Sequence, residues 1–241
     1  FAVRALVHSL YLLPAGQVSA AENMVSDLLL PEAFLEADCS RLRFYGWSSL
    51  AFTFGSAQKW AEVLAAGAPG AELIRRPTGG GLVDHREDWT YALVLPARHP
   101  LAQAKACESY RIVHEVLAEV LNKTGASCQL QVANCAESGA RGLAVCFKKA
   151  EPFDIVRWGD GRKIAGAAQK RTRHGLLFQG SVAREVAADV QDWNKVGEIF
   201  ARQLAELLDC PLKNLPHPPW PAEDLAKATA RFAAKEWNEK R

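Results

Sequence analysis

The sequence predicts an α+β fold in which helices pack on a mixed, largely antiparallel sheet. Helical spacing of apolar residues recurs towards both ends of the chain and in one long central segment. Between residues 127 and 182, short extended runs separated by turn residues outnumber helices. Because these strands follow one another instead of alternating with helices, we expect an antiparallel arrangement with the helices on one side of the sheet.

The first half of the chain contains both element types. Ser19-Ala-Ala-Glu22 is a capping-box pattern, and it predicts a helix over residues 20–30. Aromatic and apolar runs on either side of Gly46-Trp-Ser-Ser49 predict two strands joined by a turn. The remaining predictions here are a helix at 56–66, strands at 71–75 and 90–95, and an amphipathic helix at 100–122.

The second half is mostly extended. Strands are predicted at 129–132, 143–147, 153–158, 162–169 and 175–182, followed by a helix at 194–209. A proline-rich link at 211–221 then leads to a last helix. We therefore predict a main domain over residues 1–210 and a proline-linked C-terminal helical extension over 211–241, peripheral to the main domain.

Composition limits the classes of partner. The 241 residues are 49% hydrophobic with a net charge of +2, which suits one core and requires neither nucleic acid nor a membrane surface. No run approaches the length of a membrane span, and no signal-peptide pattern opens the chain. The six cysteines show no Cys-x-x-Cys and no metal-like pairing with histidine, so we expect reduced thiols, no metal site and a cytoplasmic location.

Lys163 is the first candidate functional residue. Asp160-Gly161 predicts a tight turn, which places Lys163 at the start of the following strand. Small residues, among them Gly166 and Ala168, leave room for a ligand against this strand. Residues 148–173 carry a local charge of +5, which favours an acidic or phosphate-bearing partner. The alternative is a solvated lysine on a charged face.

A second glycine-rich segment is Arg75-Arg-Pro-Thr-Gly-Gly-Gly-Leu-Val-Asp-His85. Gly79, Gly80 and Gly81 allow positive φ and a close approach of backbone N–H groups to an anion or carbonyl. Arg75 and Arg76 beside them would neutralise a phosphate or clamp a carboxylate. A plain surface hairpin is the alternative. The flanking strands and the absence of Gly-Lys-Ser/Thr exclude a dinucleotide fold and a Walker loop.

Three motifs together resemble the lipoate and biotin protein ligase superfamily, which includes the octanoyltransferases. Arg75 to His85, continuing into Thr90-Tyr91, is similar to its first signature. Gly161-Arg-Lys-Ile-Ala-Gly-Ala-Ala-Gln-Lys-Arg171 and Leu176-Leu-Phe-Gln-Gly-Ser181 are similar to the second and third. Glu22-Asn-Met24 matches a weaker feature. Arg86 stands where the family usually has Asp, and the motifs fit the lipoyl branch better than the biotin ligases.

The resemblance implies the mixed-sheet catalytic domain of these ligases, with an acyl chain held between the glycine loop and the Lys163 strand. Lys163 would bind the acyl carbonyl, where a fixed cation stabilises developing negative charge. The other residues expected to bind substrate are Arg75, Arg76, Thr78, Gly79, Gly80, Gly81, His85, Gly166, Ala168, Gln169 and Gly180. The acceptor would be a lysine of a lipoyl domain, as in the 2-oxoacid dehydrogenase E2 component or the glycine cleavage H protein.

Cys146 distinguishes two reactions within this branch. The resemblance to one octanoyltransferase group, in which a Cys-Phe pair precedes the lysine motif, implies that Cys146 carries the acyl group as a thioester taken from acyl carrier protein, without a cofactor. Many stand-alone ligases of the resembled family carry a C-terminal accessory domain, and only about 30 residues follow Cys210, so we expect a transferase. A ligase whose accessory domain is a separate chain stays open. The alternative is an ATP- and Mg-dependent lipoate-protein ligase acting through lipoyl-AMP, with Cys146 a buried strand cysteine.

A third reading is a lipoyl-domain or acyl-binding module without activity, which intact Lys163 and Arg75 oppose. The sequence leaves open whether the acyl group is octanoyl or lipoyl, which lipoyl domain accepts it, the oligomeric state and the effect of Arg86.

Overall fold

The computed structural model describes residues 9–33, 38–67, 69–132, 150–215 and 220–240. The strand predicted at 143–147 lies outside the described residues, and so do Cys135 and Cys146.

The larger of two sheets has nine strands in the described part of the chain, in the order β12-β1-β3-β7-β11-β10-β9-β8, with β2 beside β3. Its strands are β1 (Leu10–Leu12), β2 (Gly16–Val18), β3 (Ser40–Trp47), β7 (Asp88–Pro96), β8 (Cys128–Leu130), β9 (Ile155–Arg157), β10 (Lys163–Thr172), β11 (Gly175–Ala183) and β12 (Leu212–Asn214). The pairs from β3 through to β8 are antiparallel, and the pairs of β1 and β2 are parallel.

A small second sheet places the glycine loop. It contains β4 (Ala51–Phe54), β5 (Glu72–Arg75) and β6 (Leu82–Asp84) in the order β5-β4-β6. Residues 76–81 connect its two outer strands and therefore lie at one end of this sheet. The three-residue strand β6 was not predicted, because so short a run beside three glycines has no measurable periodicity.

The helices are α1 (Ala20–Leu29), α2 (Trp60–Ala66), α3 (Pro100–Gln103), α4 (Ala106–Lys123), α5 (Trp193–Leu207), α6 (Ala222–Ala233) and α7 (Lys235–Asn238), with a 3-10 turn at Leu30–Glu32. The predicted capping box is present, since the Ser19 hydroxyl accepts the backbone N–H of Glu22. The helix predicted at 100–122 is two helices, because Ala104 and Lys105 have extended backbone conformations. The helix predicted at 56–66 begins only at Trp60.

Helices cover both faces of the large sheet. Along β7, Leu93 and Leu95 pack in one core cluster with α4 and α5, whereas Ala92 and Val94 pack in another with α1 and α6. Alternate residues of a strand face opposite sides of a sheet. The α+β prediction is therefore confirmed, but the expectation that the helices lie on one side is wrong, because the central strands are apolar on both faces.

The C-terminal extension belongs to the core. Phe232 of α6 is buried in the cluster formed with α1, and β12 pairs in parallel with β1. Asn238 of α7 is also buried and hydrogen-bonds to β5. The prediction of a peripheral tail is wrong. The proline-rich composition of residues 211–221 suggested an exposed linker, but the segments on both sides of it pack against the main domain. Among the described residues, no helix has the length and apolarity needed to cross a bilayer.

Candidate functional site

A cavity of about 460 Å³, partly open to solvent, lies between the small sheet, α1 and the strands β10 and β11. Its size falls within the range of small-molecule pockets, roughly 300–1,000 Å³. Six residues predicted to bind substrate line it: Arg76, Gly80, His85, Gly166, Ala168 and Gly180. The two glycine-rich segments, about ninety residues apart in sequence, therefore face one cavity.

Lys163 begins β10, as the Asp160-Gly161 turn predicted, and it is 6% exposed. Its Nζ lies 2.7 Å from Oδ2 of Asp154. A Cβ placed on Gly166 would stand 2.6 Å from that Nζ. Gly166 lines the cavity and Lys163 is not itself a lining residue, so the missing side chain at 166 makes room for the ammonium group beside a residue of the cavity wall.

Asp154 is the acid that holds this lysine, and the sequence analysis did not single it out. It accepts the Tyr110 hydroxyl (2.5 Å) and the Glu151 backbone N–H (2.6 Å). Tyr110 in turn accepts the backbone N–H of Ala167 (2.9 Å). The preceding residue, Phe153, has a φ of 65°, a conformation that is costly outside glycine. The only sequence signal was an acid inside an otherwise apolar strand pattern.

His85 stands between a hydroxyl and a carboxylate. Its Nε2 lies 2.7 Å from Oγ1 of Thr53, and its Nδ1 lies 2.6 Å from Oδ2 of Asp88. The ring stacks on Trp47 at 3.9 Å between centroids. Asp88 also accepts the hydroxyls of Thr90 and Ser181. The pKa of Asp88 is lowered, because the charge and hydrogen bonds of His85 and the two hydroxyls outweigh the opposing effect of burial.

Arg76 stabilises the glycine loop through hydrogen bonds to its backbone. Its guanidinium donates to the carbonyl oxygens of Gly79 and Gly81 and to that of Thr53. Gly80 has a φ of 88°, and a Cβ there would stand 2.7 Å from the Arg76 guanidinium. The loop therefore requires glycine at position 80 for both conformation and space.

Arg75 lies outside the cavity although it is next to Arg76. Its guanidinium is fully buried and donates to the backbone carbonyls of Ser56, Gln58 and Asn238. Its backbone N–H donates to the Asn238 side chain. The two adjacent arginines therefore have different roles: Arg76 supports the glycine loop, and Arg75 joins α7 to the small sheet.

A buried polar network lies behind another part of the cavity wall. Gln179 of β11 accepts the Thr78 hydroxyl and donates to Oδ2 of Asp27. Asp27 is fully buried and paired with Arg43 at 2.8 Å. Burial raises the pKa of Asp27 above its ordinary value, against the opposing effect of Arg43. Thr78 does not line the cavity itself; its hydroxyl positions Gln179, which does.

The side chain of Gln169 faces α4 and donates to Ala106 and Ser109. Of the cysteines, Cys128 and Cys210 have free thiols, whereas Cys107 is disulfide-bonded, so the expectation of reduced thiols is wrong for Cys107. Burial raises the pKa of Cys128 to about 11, which makes it a poor nucleophile. Within the described residues, no cluster of three His, Cys, Asp or Glu side chains could hold a metal ion.

The family model for the lipoyl protein ligase A/B catalytic domain matches residues 19–211. The chain belongs to this family. The resemblance carried by the three motifs is thereby confirmed.

Curated relatives in this family include octanoyltransferases named LipM. That of Kyrpidia tusciae is 33% identical over 180 residues, covering 71% of this chain and 64% of the relative. That of Macrococcus caseolyticus is 29% identical over 174 residues, covering 69% of this chain and 59% of the relative. The chain thus spans about three fifths of the length of these relatives.

Solved lipoate-protein ligases share the fold. A bipartite lipoate protein ligase of Thermoplasma acidophilum, studied with its E2 lipoyl domain, superposes with a TM-score of 0.69 at 17% identity over 97% of this chain and 96% of that one. A lipoate-protein ligase A bound with ATP gives 0.71 at 19% identity, over 97% and 99% of the two chains. These similarities extend to the region beyond residue 211 and establish the fold.

In this chain, Arg86 stands where the family motif has an acid directly after His85. The Arg86 guanidinium is exposed and pairs with Asp84. The acid in contact with His85 is Asp88, three residues further on. The histidine therefore has a carboxylate partner that the motif spacing alone did not identify.

Proposed function

We propose that this protein transfers an octanoyl group from acyl carrier protein to a lysine of a lipoyl domain, through a thioester on Cys146. The observation that carries the proposal is the Lys163 ammonium, held by Asp154 beside Gly166, in a cavity that six of the predicted substrate-binding residues line. LipM relatives with the octanoyltransferase name support the choice of reaction.

The first step is attack on the carrier thioester. The Cys146 thiolate adds to the thioester carbon, and the carbonyl oxygen becomes an oxyanion that the Lys163 ammonium stabilises. Collapse of this intermediate breaks the carbon–sulfur bond to the carrier, which leaves as a thiol after taking up a proton. The octanoyl group is then a thioester on the enzyme.

In the second step, the uncharged amine of the acceptor lysine attacks the enzyme thioester. The amide bond forms, the carbon–sulfur bond to Cys146 breaks, and the amine proton is released. Because the carrier thioester supplies the energy, the reaction requires no ATP and no cofactor. The partners are therefore acyl carrier protein and a lipoyl domain, either of an E2 component or of the glycine cleavage H protein, in the cytoplasm.

Asp154 has a positioning role in this mechanism. Its ion pair fixes the Lys163 side chain near Gly166, and its bonds from Tyr110 and Glu151 fix the carboxylate itself. A cation fixed in advance costs no reorganisation when the oxyanion forms. Arg76, Gly80, His85, Gly166, Ala168 and Gly180 would contact the acyl group, whereas Arg75, Thr78 and Gln169 would act through their neighbours.

Intact-protein mass spectrometry tests this proposal. The protein is incubated with octanoyl-acyl carrier protein without ATP, and wild type is compared with Cys146→Ala and with the control Cys210→Ala. We expect a hydroxylamine-labile octanoyl adduct on wild type and on the control, and none on Cys146→Ala. An adduct on Cys146→Ala would place the nucleophile elsewhere.

A second arm separates transferase from ligase. A lipoyl domain is supplied with free lipoate, ATP and Mg²⁺, and its mass is followed with and without ATP. Modification that depends on ATP, combined with no adduct from the carrier thioester, would overturn the transferase and establish the ligase. Octanoyl and lipoyl donors compared in the first arm then decide the acyl group.

A further inference from the structure

A second, basic cavity lies at the opposite end of the large sheet. It contains about 820 Å³ of space, partly open to solvent, and is lined by Asp38, Arg41, Pro96, Ala97, Arg98, Arg173 and His174. Thr90 lines the first cavity and Pro96 lines the second, six residues apart along β7. At roughly 3.4 Å per residue, the two cavities are about 20 Å apart.

The lining charges favour an anion. Three guanidinium groups converge from β3, from the segment after β7 and from the β10–β11 turn, against the single carboxylate of Asp38. Asp38 pairs with Arg98 at 3.7 Å, and both side chains are exposed. Glu32 lies 3.9 Å from His174 Nε2 at the edge. The cavity therefore keeps an excess positive charge of about two after Asp38 is counted.

Arg41 distinguishes this cavity from a cluster of surface charges, because it is buried. It is 1% exposed, and its Nε has no hydrogen-bond acceptor among the described residues. One of its terminal nitrogens donates to the Ala33 carbonyl, and no carboxylate pairs with it within ion-pair distance in the described part of the chain. Burial lowers the pKa of Arg41 from its ordinary value. A buried guanidinium with an unused donor is costly unless it meets an anion.

We propose that this cavity binds a small phosphorylated molecule through its phosphate group. A phosphate monoester carries a charge of about −1.5 to −2 at neutral pH, which matches the excess charge of the cavity. Guanidinium groups bind phosphate oxygens through paired N–H donors, with geometry that ammonium groups lack. Pro96 and Ala97 supply an apolar wall for the remainder of the molecule. The proposal is independent of the acyl transfer proposed above.

Isothermal titration calorimetry with inorganic pyrophosphate at fixed ionic strength tests the site. Wild type is compared with the double variant Arg98→Gln/Arg173→Gln and with Arg202→Gln, which removes an exposed arginine of α5 distant in sequence from the cavity. We expect saturable binding to wild type, a loss of about tenfold or more in the double variant, and a change of less than about twofold in the control.

Arg41→Gln provides a stricter test if circular dichroism shows that it folds, and it should abolish binding. The double variant decides the matter if Arg41→Gln does not fold, since Arg98 and Arg173 are at the surface. Saturating octanoate should leave the pyrophosphate affinity within about twofold if the two cavities are separate. No binding to wild type, equal binding to the double variant, or competition by octanoate would each overturn the proposal.

Discussion

Two basic side chains in or beside the first cavity, here called the lysine end (Lys163) and the histidine end (His85), are each paired with a buried acid, but the pairs are built differently. Lys163 meets Asp154, whose further donors are Tyr110 and one backbone N–H. His85 meets Asp88, which also accepts the hydroxyls of Thr90 and Ser181 and so joins β7 to β11 and to the segment after β6. The lysine amine lies beside the lining residue Gly166, whereas both ring nitrogens of the histidine have protein partners.

From this difference we expect Lys163 to act mainly in catalysis and His85 mainly in stabilising the fold. The Lys163 ammonium adjoins Gly166, where an acyl carbonyl would approach in the proposed reaction. The His85 ring is fixed by Thr53, Asp88 and Trp47, as expected of a group that positions strands and lines the cavity. Changes at the lysine end should therefore reduce activity more than stability, and changes at the histidine end should do the reverse.

The largest effect is expected from Lys163→Gln. Loss of one fixed donor to an oxyanion reduces kcat by about 10²- to 10³-fold. Asp154 keeps the bonds from Tyr110 and Glu151, so the protein should remain folded. Mass spectrometry of octanoyl transfer to a lipoyl domain measures kcat, and a thermal melt measures whether the variant is folded. A variant that melts early yet transfers at the wild-type rate when cold would contradict the catalytic role.

Asp88→Ala should mainly affect stability. Three buried donors, on His85, Thr90 and Ser181, lose their acceptor. The expected loss is about 3 kcal/mol or more, which lowers Tm by about 6 to 12 °C for a chain of this size. Transfer at low temperature should stay within about tenfold of wild type. If Tm is unchanged while transfer is abolished, His85 and Asp88 take part in the chemistry and the expected difference between the two ends is wrong.

His114, beside the lysine end, should make stability depend on pH. It is fully buried, and burial lowers its pKa to about 4. Its Nδ1 bonds to the Phe153 carbonyl. The unfolded chain, with a histidine pKa near 6.5, binds the proton more readily, so stability is full above pH 6.5 and falls as pH drops towards 4. By about pH 5 the loss is about 2 kcal/mol.

Urea unfolding at several pH values measures this effect. His114→Asn should remove the slope between pH 5 and 6.5, while the same change at His174 on the β10–β11 turn should leave it. An unchanged slope in His114→Asn would assign the pH dependence to other groups.

The smallest effect is expected from Gly166→Ala. The added methyl would stand 2.6 Å from the Lys163 amine and 2.9 Å from the Asp154 carboxylate, so the lysine must shift. We expect about a tenfold loss in kcat, since misplaced catalytic groups are costly, with a smaller change in Tm. Gly16→Ala, where a Cβ meets nothing within 4 Å, is the matched control. Equal kcat for the two variants would show that the position of the amine is not critical.

The sequence predicted elements with strong local signals. The capping box at Ser19 and the turn at Asp160-Gly161 were found because each depends on residues adjacent in the chain. Asp154 was missed as a partner because it meets Lys163 only after β9 and β10 have paired, and Asp88 was missed because the motif places the acid directly after the histidine instead of three residues further on. Arg75 and Arg76 could not be separated in sequence, and only burial against α7 distinguishes them.

The amino-acid sequence alone determined the fold class, the family resemblance and the lysine at the start of β10. These depend on periodicity, turn chemistry and contiguous motifs, which are local properties. The tertiary structure decided which side chains share the cavity, which acid holds each basic group, and that the C-terminal helices belong to the core. Burial and pairing depend on contacts between segments that are distant in sequence. The low-dielectric interior that strengthens such contacts forms only after those segments have packed together.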